Sequence, residues 1–258
     1  MSRLHIATRG ICNWRERLTS PERQWKRCFS AFETAVSWEL ASASNSGLPE
    51  PIAKLFRENS YGDPVLMFAV AEHKVDLPGS NVAPSQSDVW AVVRTSAGML
   101  SLTVEAKAKE SFGDEILERW LVAGDSEQSV INRKTRWDYI RQYLPKSESF
   151  SRVRYQMLHR CAASVIEAKR LGFQHAAFVV QAFETPDSSF QDYAVFCEAL
   201  KIAAERGRMA TTSVDGISLA GCGKRVFGPL STDAIMHYDV FYQAINTEYW
   251  GPTLVLSR

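Results

Sequence analysis

The sequence predicts an α/β domain built on a mixed β-sheet flanked by helices, with a C-terminal elaboration. Three observations carry this. Three runs rich in Val, Leu and Thr, namely Pro64 to Val70, Asp88 to Thr95 and Met99 to Lys107, stand close together with turn residues between them, as in an antiparallel meander. A long amphipathic pattern from Ser151 to Leu171 follows. A nearly continuous apolar run, His175 to Phe183, then returns as a strand buried on both faces, which requires helices on both sides of the sheet.

In chain order, the first element expected is a helix from Pro21 to Ala43. Pro21 suits its first turn, Ser20 its N-cap, and Trp25, Cys28, Phe29, Phe32, Val36 and Leu40 recur at helical spacing. At about 100° per residue Glu39 falls inside this apolar stripe and Glu33 at its margin. A carboxylate placed inward needs a partner. Ala41 to Gly47, followed by Pro49 and Pro51, has a linker composition. The first strand, read as buried, extends through Ala71, Glu72, His73 and Lys74 to a turn at Pro78, Gly79 and Ser80, and Ser96, Ala97 and Gly98 turn the second strand into the third.

Helical patterns follow at Asp114 to Leu121 and Asn132 to Tyr143. The long helix has a candidate cap in Ser151, places Met157, Leu158, Cys161, Val165 and Ala168 on one face, and stops at Gly172. A helix from Ser189 to Arg206 and a strand pattern from His237 to Ile245 complete the chain. The 258 residues, 45% of them hydrophobic, suffice for one elaborated domain with a substantial core.

A formal charge of +1 carries no message about partners, so any nucleic-acid partner must be read from local clusters. The five cysteines are scattered, odd in number and without a C-x-x-C pair, which argues against a disulfide framework or a structural zinc site and fits a reducing compartment. No run approaches the roughly 20 apolar residues of a membrane span. Met1 to Trp14 lacks the apolar region of a secretory signal. A cytoplasmic protein is expected.

The chemistry concentrates at the end of the third strand. Side chains alternate along a strand, so Glu105 and Lys107 project from one face, and a hairpin of this length brings Asp88 to the same end. Two hard oxygen donors and an ammonium suit Mg²⁺ or Mn²⁺ with an activated water. The plain alternative is a solvated ion pair. His73 and His159 lack a second His at i+4 or a suitably spaced Cys, and Gly221-Cys222-Gly223-Lys224 lacks the spacing of a phosphate loop.

Asp88, then Glu105-Ala106-Lys107 on the next strand, resembles the PD-(D/E)xK nuclease superfamily, whose pattern is an acid, a gap across a hairpin, and acid-x-Lys. Pro84 stands apart from Asp88, so the proline of the pattern is displaced. The element order over residues 22 to 183 matches the superfamily's core. Glu72-His73-Lys74, Ser87-Asp88, Val104 to Lys107 with Phe112-Gly113, and Arg154 to Arg160 are also similar to a bacterial domain family of uncharacterised function assigned to the same fold.

The resemblance implies a restriction-endonuclease-like sheet and a Mg²⁺-dependent endonuclease acting on phosphodiester bonds, in double-stranded DNA more than in RNA. It implies metal binding by Asp88 and Glu105, a third acid in Glu39 or the less well placed Glu33, water positioning by Lys107, and Gln156 at the border of the site. Glu39 could equally cap a loop or pair with an Arg, and Gln156 could be an ordinary helix-surface residue.

Basic and aromatic residues interleave in two clusters. Arg133, Lys134, Arg136, Trp137, Tyr139 and Arg141 form one; Arg152, Arg154, Tyr155 and Arg160 form the other. Such groups neutralise phosphates and stack bases, or else make solvated helix faces. Met1 to Arg27, basic through Arg3, Arg9 and the arginines after them, is either a DNA-contacting arm or an extension packed on the core. A homodimer would suit double-strand cutting. Two rival readings remain: a non-catalytic nucleic-acid or protein interaction module on the same fold, and a metal-dependent hydrolase of a small phosphorylated substrate.

Overall fold

A computed structural model describes residues 10–79, 83–113, 115–147, 149–183 and 185–226. Six strands form one mixed open sheet: β1 (Val65–Val75), β2 (Ser85–Thr95), β3 (Gly98–Lys107), β4 (His175–Phe183), β5 (Ala210–Val214) and β6 (Ile217–Val226), in spatial order β1-β2-β3-β4-β6-β5. The first three strands are the expected antiparallel meander. β4 then pairs parallel with β3, and β6 parallel with β4, while β5 closes the edge antiparallel to β6. β4 keeps its predicted limits because an apolar run bounded by Gly172 and Thr185 has few other ways to bury itself.

Helices cover both faces. α3 (Ser30–Ala41) lies on one, where Trp38 Nε1 donates to Gln181 Oε1 at 3.1 Å and Gln181 Nε2 donates to Ser37 Oγ at 3.0 Å. α7 (Tyr155–Leu171) lies on the other, packing Met157, Leu158, Cys161 and Val165 against Phe178 and Val180. Neighbouring β4 residues thus serve opposite layers, as strand alternation requires. α8 (Asp187–Ala199) joins the α7 layer through Tyr193, Phe196 and Cys197. α7 stops at Gly172, whose φ of 72° is open to glycine without strain.

Several expectations are corrected. The helix from Pro21 to Ala43 is two helices, α2 (Pro21–Gln24) and α3, after a short α1 (Ile11–Arg15); the chain breaks between them, with Cys28 at φ 65°. Trp25, Cys28 and Phe29 therefore do not share a stripe with Phe32 and Val36, and Leu40 is exposed. The proline-rich linker contains α4 (Glu50–Arg57), because Pro49 and Pro51 occupy the helix start, where a missing N–H costs nothing. α4 buries Ile52, Ala53, Leu55 and Phe56.

β1 is an edge strand and not a buried one, with Met67 and Phe68 50% and 45% exposed. Ser151 does not cap α7, which begins after a 3₁₀ turn over Ser149–Arg152. α5 (Leu117–Val122) and α6 (Glu127–Ile140) occupy the two helical patterns before it, and α8 ends at Ala199, short of Arg206. The segment beyond residue 184 adds two strands to the sheet, and Gly221 to Lys224 lies inside β6. The strand pattern His237 to Ile245, Arg3, Arg9 and Ser80 fall outside the described residues. Among the described residues no helix is long and apolar enough to cross a membrane.

Candidate active site

The register of the meander aligns three carboxylates. Ala71 faces Val89 and His73 faces Ser87, which sets Glu72 against Asp88; Val89 faces Val104, so the next step in the same register sets Asp88 against Glu105. Glu72, Asp88 and Glu105, one on each of β1, β2 and β3, thus come close enough at one end of the sheet for their charges to interact, although the positive φ of Glu72 interrupts the regular alternation of β1 there. Residues directly opposite in adjacent strands have Cβ atoms about 5 Å apart, so like charges there are unfavourable. The row lines a cavity of about 920 Å³ at the end of the sheet, shared with Lys107, Gln156 and Arg160.

Each carboxylate is held differently. Glu105 is 2% exposed and accepts three hydrogen bonds: its Oε1 accepts from Lys107 Nζ and from Gln156 Nε2, both at 2.8 Å, and its Oε2 from Arg160 Nε at 2.9 Å. Burial alone would raise its pKa, but the Lys107 and Arg160 charges outweigh that and hold it below the usual carboxylate range. Asp88 Oδ2 accepts the Ala106 N–H at 2.6 Å. Burial first, then the charges of Glu105 and Glu72, raise the Asp88 carboxyl well above its ordinary value. Glu72 accepts from Gln86 Nε2 at 2.6 Å, and burial pushes its pKa up to about 7. Its φ of 54° is unusual for a strand residue and marks local strain in β1.

Lys107 is an ammonium in this setting. Burial draws its pKa down, yet Glu105 and Asp88 together overcome the effect and the net shift is upward. It donates hydrogen bonds and does not accept protons near neutral pH.

The sequence-predicted residues separate into two groups. Asp88, Glu105, Lys107 and Gln156 come together as expected. Glu39 does not join them: its Oε1 accepts from Trp14 Nε1 at 2.7 Å, so the inward carboxylate has found an indole on α1 and drops out of the metal set. Glu33 Oε1 accepts the Cys28 N–H at 2.7 Å, on the far side of the break before α3, and is likewise not a ligand.

Of the five arginines expected to meet phosphate, Arg136 and Arg160 line the cavity. Arg160 is spent on Glu105. Arg133 donates to the Trp120 carbonyl at 2.6 Å and lies over its indole, Arg154 pairs with Asp192 at 3.0 Å, and Arg152 is an exposed residue of the 3₁₀ turn. His73 stacks on Trp90 and bonds Glu167 at 3.1 Å, a structural role. His159 Nδ1 meets Ser85 Oγ at 2.8 Å, and burial, reinforced by Arg160 and Arg136, keeps its imidazole neutral. The residue that went unassigned is Glu72. Its signal lay in the β1–β2 register, which the long turn after Val75 leaves undetermined in the sequence alone.

Among the described residues no three His, Cys, Asp or Glu side chains are gathered into a ready-made metal cage. Mg²⁺ seldom needs one, since one or two carboxylates with substrate oxygens and water complete its shell. Two observations fit such an ion. Asp88 and Glu105 sit on adjacent strands with mutual repulsion that a cation would relieve. Gln156 Oε1, a buried oxygen in the same cavity, has no hydrogen-bond partner.

A family model described as "Domain of unknown function (DUF6946)" matches residues 7–223. No curated protein and no solved structure matches the chain.

Proposed function

The chain belongs to the DUF6946 family, and from its acidic row we propose that it is a metal-dependent nuclease hydrolysing phosphodiester bonds in double-stranded DNA. The observation that carries this is that Asp88 and Glu105 line one cavity close enough for their charges to interact, with Lys107 Nζ 2.8 Å from Glu105 in the same wall. The antiparallel meander followed by a helix and a parallel strand supports reading the sheet as restriction-endonuclease-like and the family as a branch of the PD-(D/E)xK superfamily.

Asp88 and Glu105 would hold Mg²⁺ or Mn²⁺, with Gln156 Oε1 as a further oxygen facing the bound water. When bound, the ion supplies Lewis-acid polarisation of the phosphate and a water of lowered pKa. Lys107 donates a hydrogen bond to the attacking water or to a phosphate oxygen and so stabilises negative charge as it builds. Arg160 and Gln156, both on α7, fix the Glu105 carboxylate so that it does not reorganise during the reaction. A water oxygen bonds to phosphorus, the bond to the leaving sugar oxygen breaks, and that oxygen takes a proton from solvent while the attacking water gives one up.

One observation favours a second reading, a non-catalytic nucleic-acid or protein interaction module: Glu105 has both oxygens occupied by protein donors. The two readings part on one assay. Supercoiled plasmid incubated with the protein and Mg²⁺ or Mn²⁺ is expected to be cut, and Lys107→Met is expected to slow cutting about 100- to 1,000-fold, the scale of one lost electrostatic stabiliser. Binding of duplex without cutting would establish the module instead, and equal cutting by Lys107→Met would remove the assigned site.

A further inference from the structure

α7 presents two rows to the cavity. Gln156 and Arg160, four residues apart, face Glu105, while Tyr155 and His159, also four apart, face Arg136 of α6. The second row is the unexplained one. Arg136 is only 2% exposed, and its Nε donates to the Tyr155 hydroxyl at 2.7 Å. Its Nη1 has no hydrogen-bond partner, and among the described residues it forms no ion pair.

A buried guanidinium without a counter-charge is costly and is retained where an anion completes it. The surroundings suit one. Tyr155 accepts from Arg136 and so keeps its own proton to give, burial having raised its pKa to about 12. The Tyr155 ring stacks on Trp120 at 3.6 Å between centroids and 10° between planes, and the Arg133 guanidinium lies over that indole at 5.1 Å. The Arg136 wall is thus rigid, electropositive and continuous with the carboxylate row, since one cavity touches both.

We propose that Arg136 and the Tyr155 hydroxyl hold a second phosphate of the substrate strand, beside the one hydrolysed at Asp88 and Glu105. The inference rests on the nuclease reading and sharpens it: the substrate is a polynucleotide whose neighbouring phosphate is gripped, and not a small phosphorylated molecule with a single phosphate. Arg recognises phosphate through a planar fork that Lys does not reproduce.

The test is calorimetric titration of the full chain in EDTA, so that nothing is cleaved, with inorganic phosphate and with a short oligothymidylate. The wild type is expected to bind both, the oligothymidylate more tightly. Arg136→Gln should weaken each about 10- to 100-fold, the worth of one charge-assisted hydrogen-bonded contact. Arg136→Lys should fall between the two. No phosphate binding by the wild type, or unchanged affinity in Arg136→Gln, overturns the proposal. Should Arg136→Gln fail to fold, Tyr155→Phe decides: weaker phosphate binding is expected, and unchanged affinity overturns it. Because no cleavage is read, phosphate binding at Arg136 in a protein that cuts no DNA would refute the nuclease reading while keeping the anion site.

Discussion

Glu105→Ala is expected to lower the stability of the fold by about 3–5 kcal/mol, the cost of leaving buried charges without their partner. Lys107 and Arg160 have side chains only 7% and 12% exposed, and both point their donors at Glu105. Removing the carboxylate strands two cations and the Gln156 amide together. Denaturant unfolding of wild type and variant measures this directly, and a loss below about 1 kcal/mol would mean that the cluster is solvated and each cation finds water. The consequence for activity work is practical. Loss of cleavage in Glu105→Ala would be ambiguous between chemistry and folding, so Glu105 is a poor first target even though it is central to the site.

Asp88→Asn is expected to do the opposite, raising stability at alkaline pH while weakening cation binding. The sign follows from the shifts. Glu72 and Asp88 both have folded-state pKa values above their ordinary ones, Glu72 at about 7. The folded state then holds more protons than the unfolded one between the ordinary carboxylate range and those raised values, so stability falls as pH rises through that window. Below pH 4 the contribution of these carboxyls is fully present; by pH 8 that of Glu72 is lost. Asparagine keeps an oxygen for the Ala106 N–H and carries no charge against Glu105 or Glu72.

His159, kept neutral by burial, contributes the opposite slope below its ordinary pKa in wild type and variant alike, so the difference between the two carries the test: between pH 5 and pH 8 in EDTA the stability of Asp88→Asn relative to wild type should rise, leaving the variant the more stable at pH 8. Thermal unfolding across that range checks it. A variant less stable than wild type at pH 8 would mean that Asp88 is an ordinary stabilising carboxylate.

The sequence is most legible where burial leaves one solution. β4 is nearly all apolar and bounded by breakers, and β2 and β3 carry the Val-rich composition that a central strand needs, so their limits are read closely. The acid-x-Lys pair is legible for the same reason, since alternation alone puts Glu105 and Lys107 on one face. Legibility fails where tertiary partners decide. Glu39 sits in the apolar stripe of α3 as the periodicity says, but periodicity cannot show that Trp14 waits there. Pro49 and Pro51 read as linker because proline breaks helices in their interiors, although it favours their first turn. Arg136 reads as one basic residue among several; its burial and its empty Nη1 arise from α6 packing against Tyr155. Glu72 depends on strand register, a long-range property no local pattern carries.

The central claim is that the row across β1, β2 and β3 binds a divalent cation through Asp88 and Glu105. Its most direct measurement is Mn²⁺ binding by calorimetry or electron paramagnetic resonance at pH 7.5, without substrate. The prediction is saturable Mn²⁺ binding by the wild type, weakened at least about 10-fold, the lower end of the effect of losing even an outer partner of a metal site, in Asp88→Asn and unchanged in Glu39→Gln. No binding at millimolar Mn²⁺, or equal binding by wild type and Asp88→Asn, would contradict it.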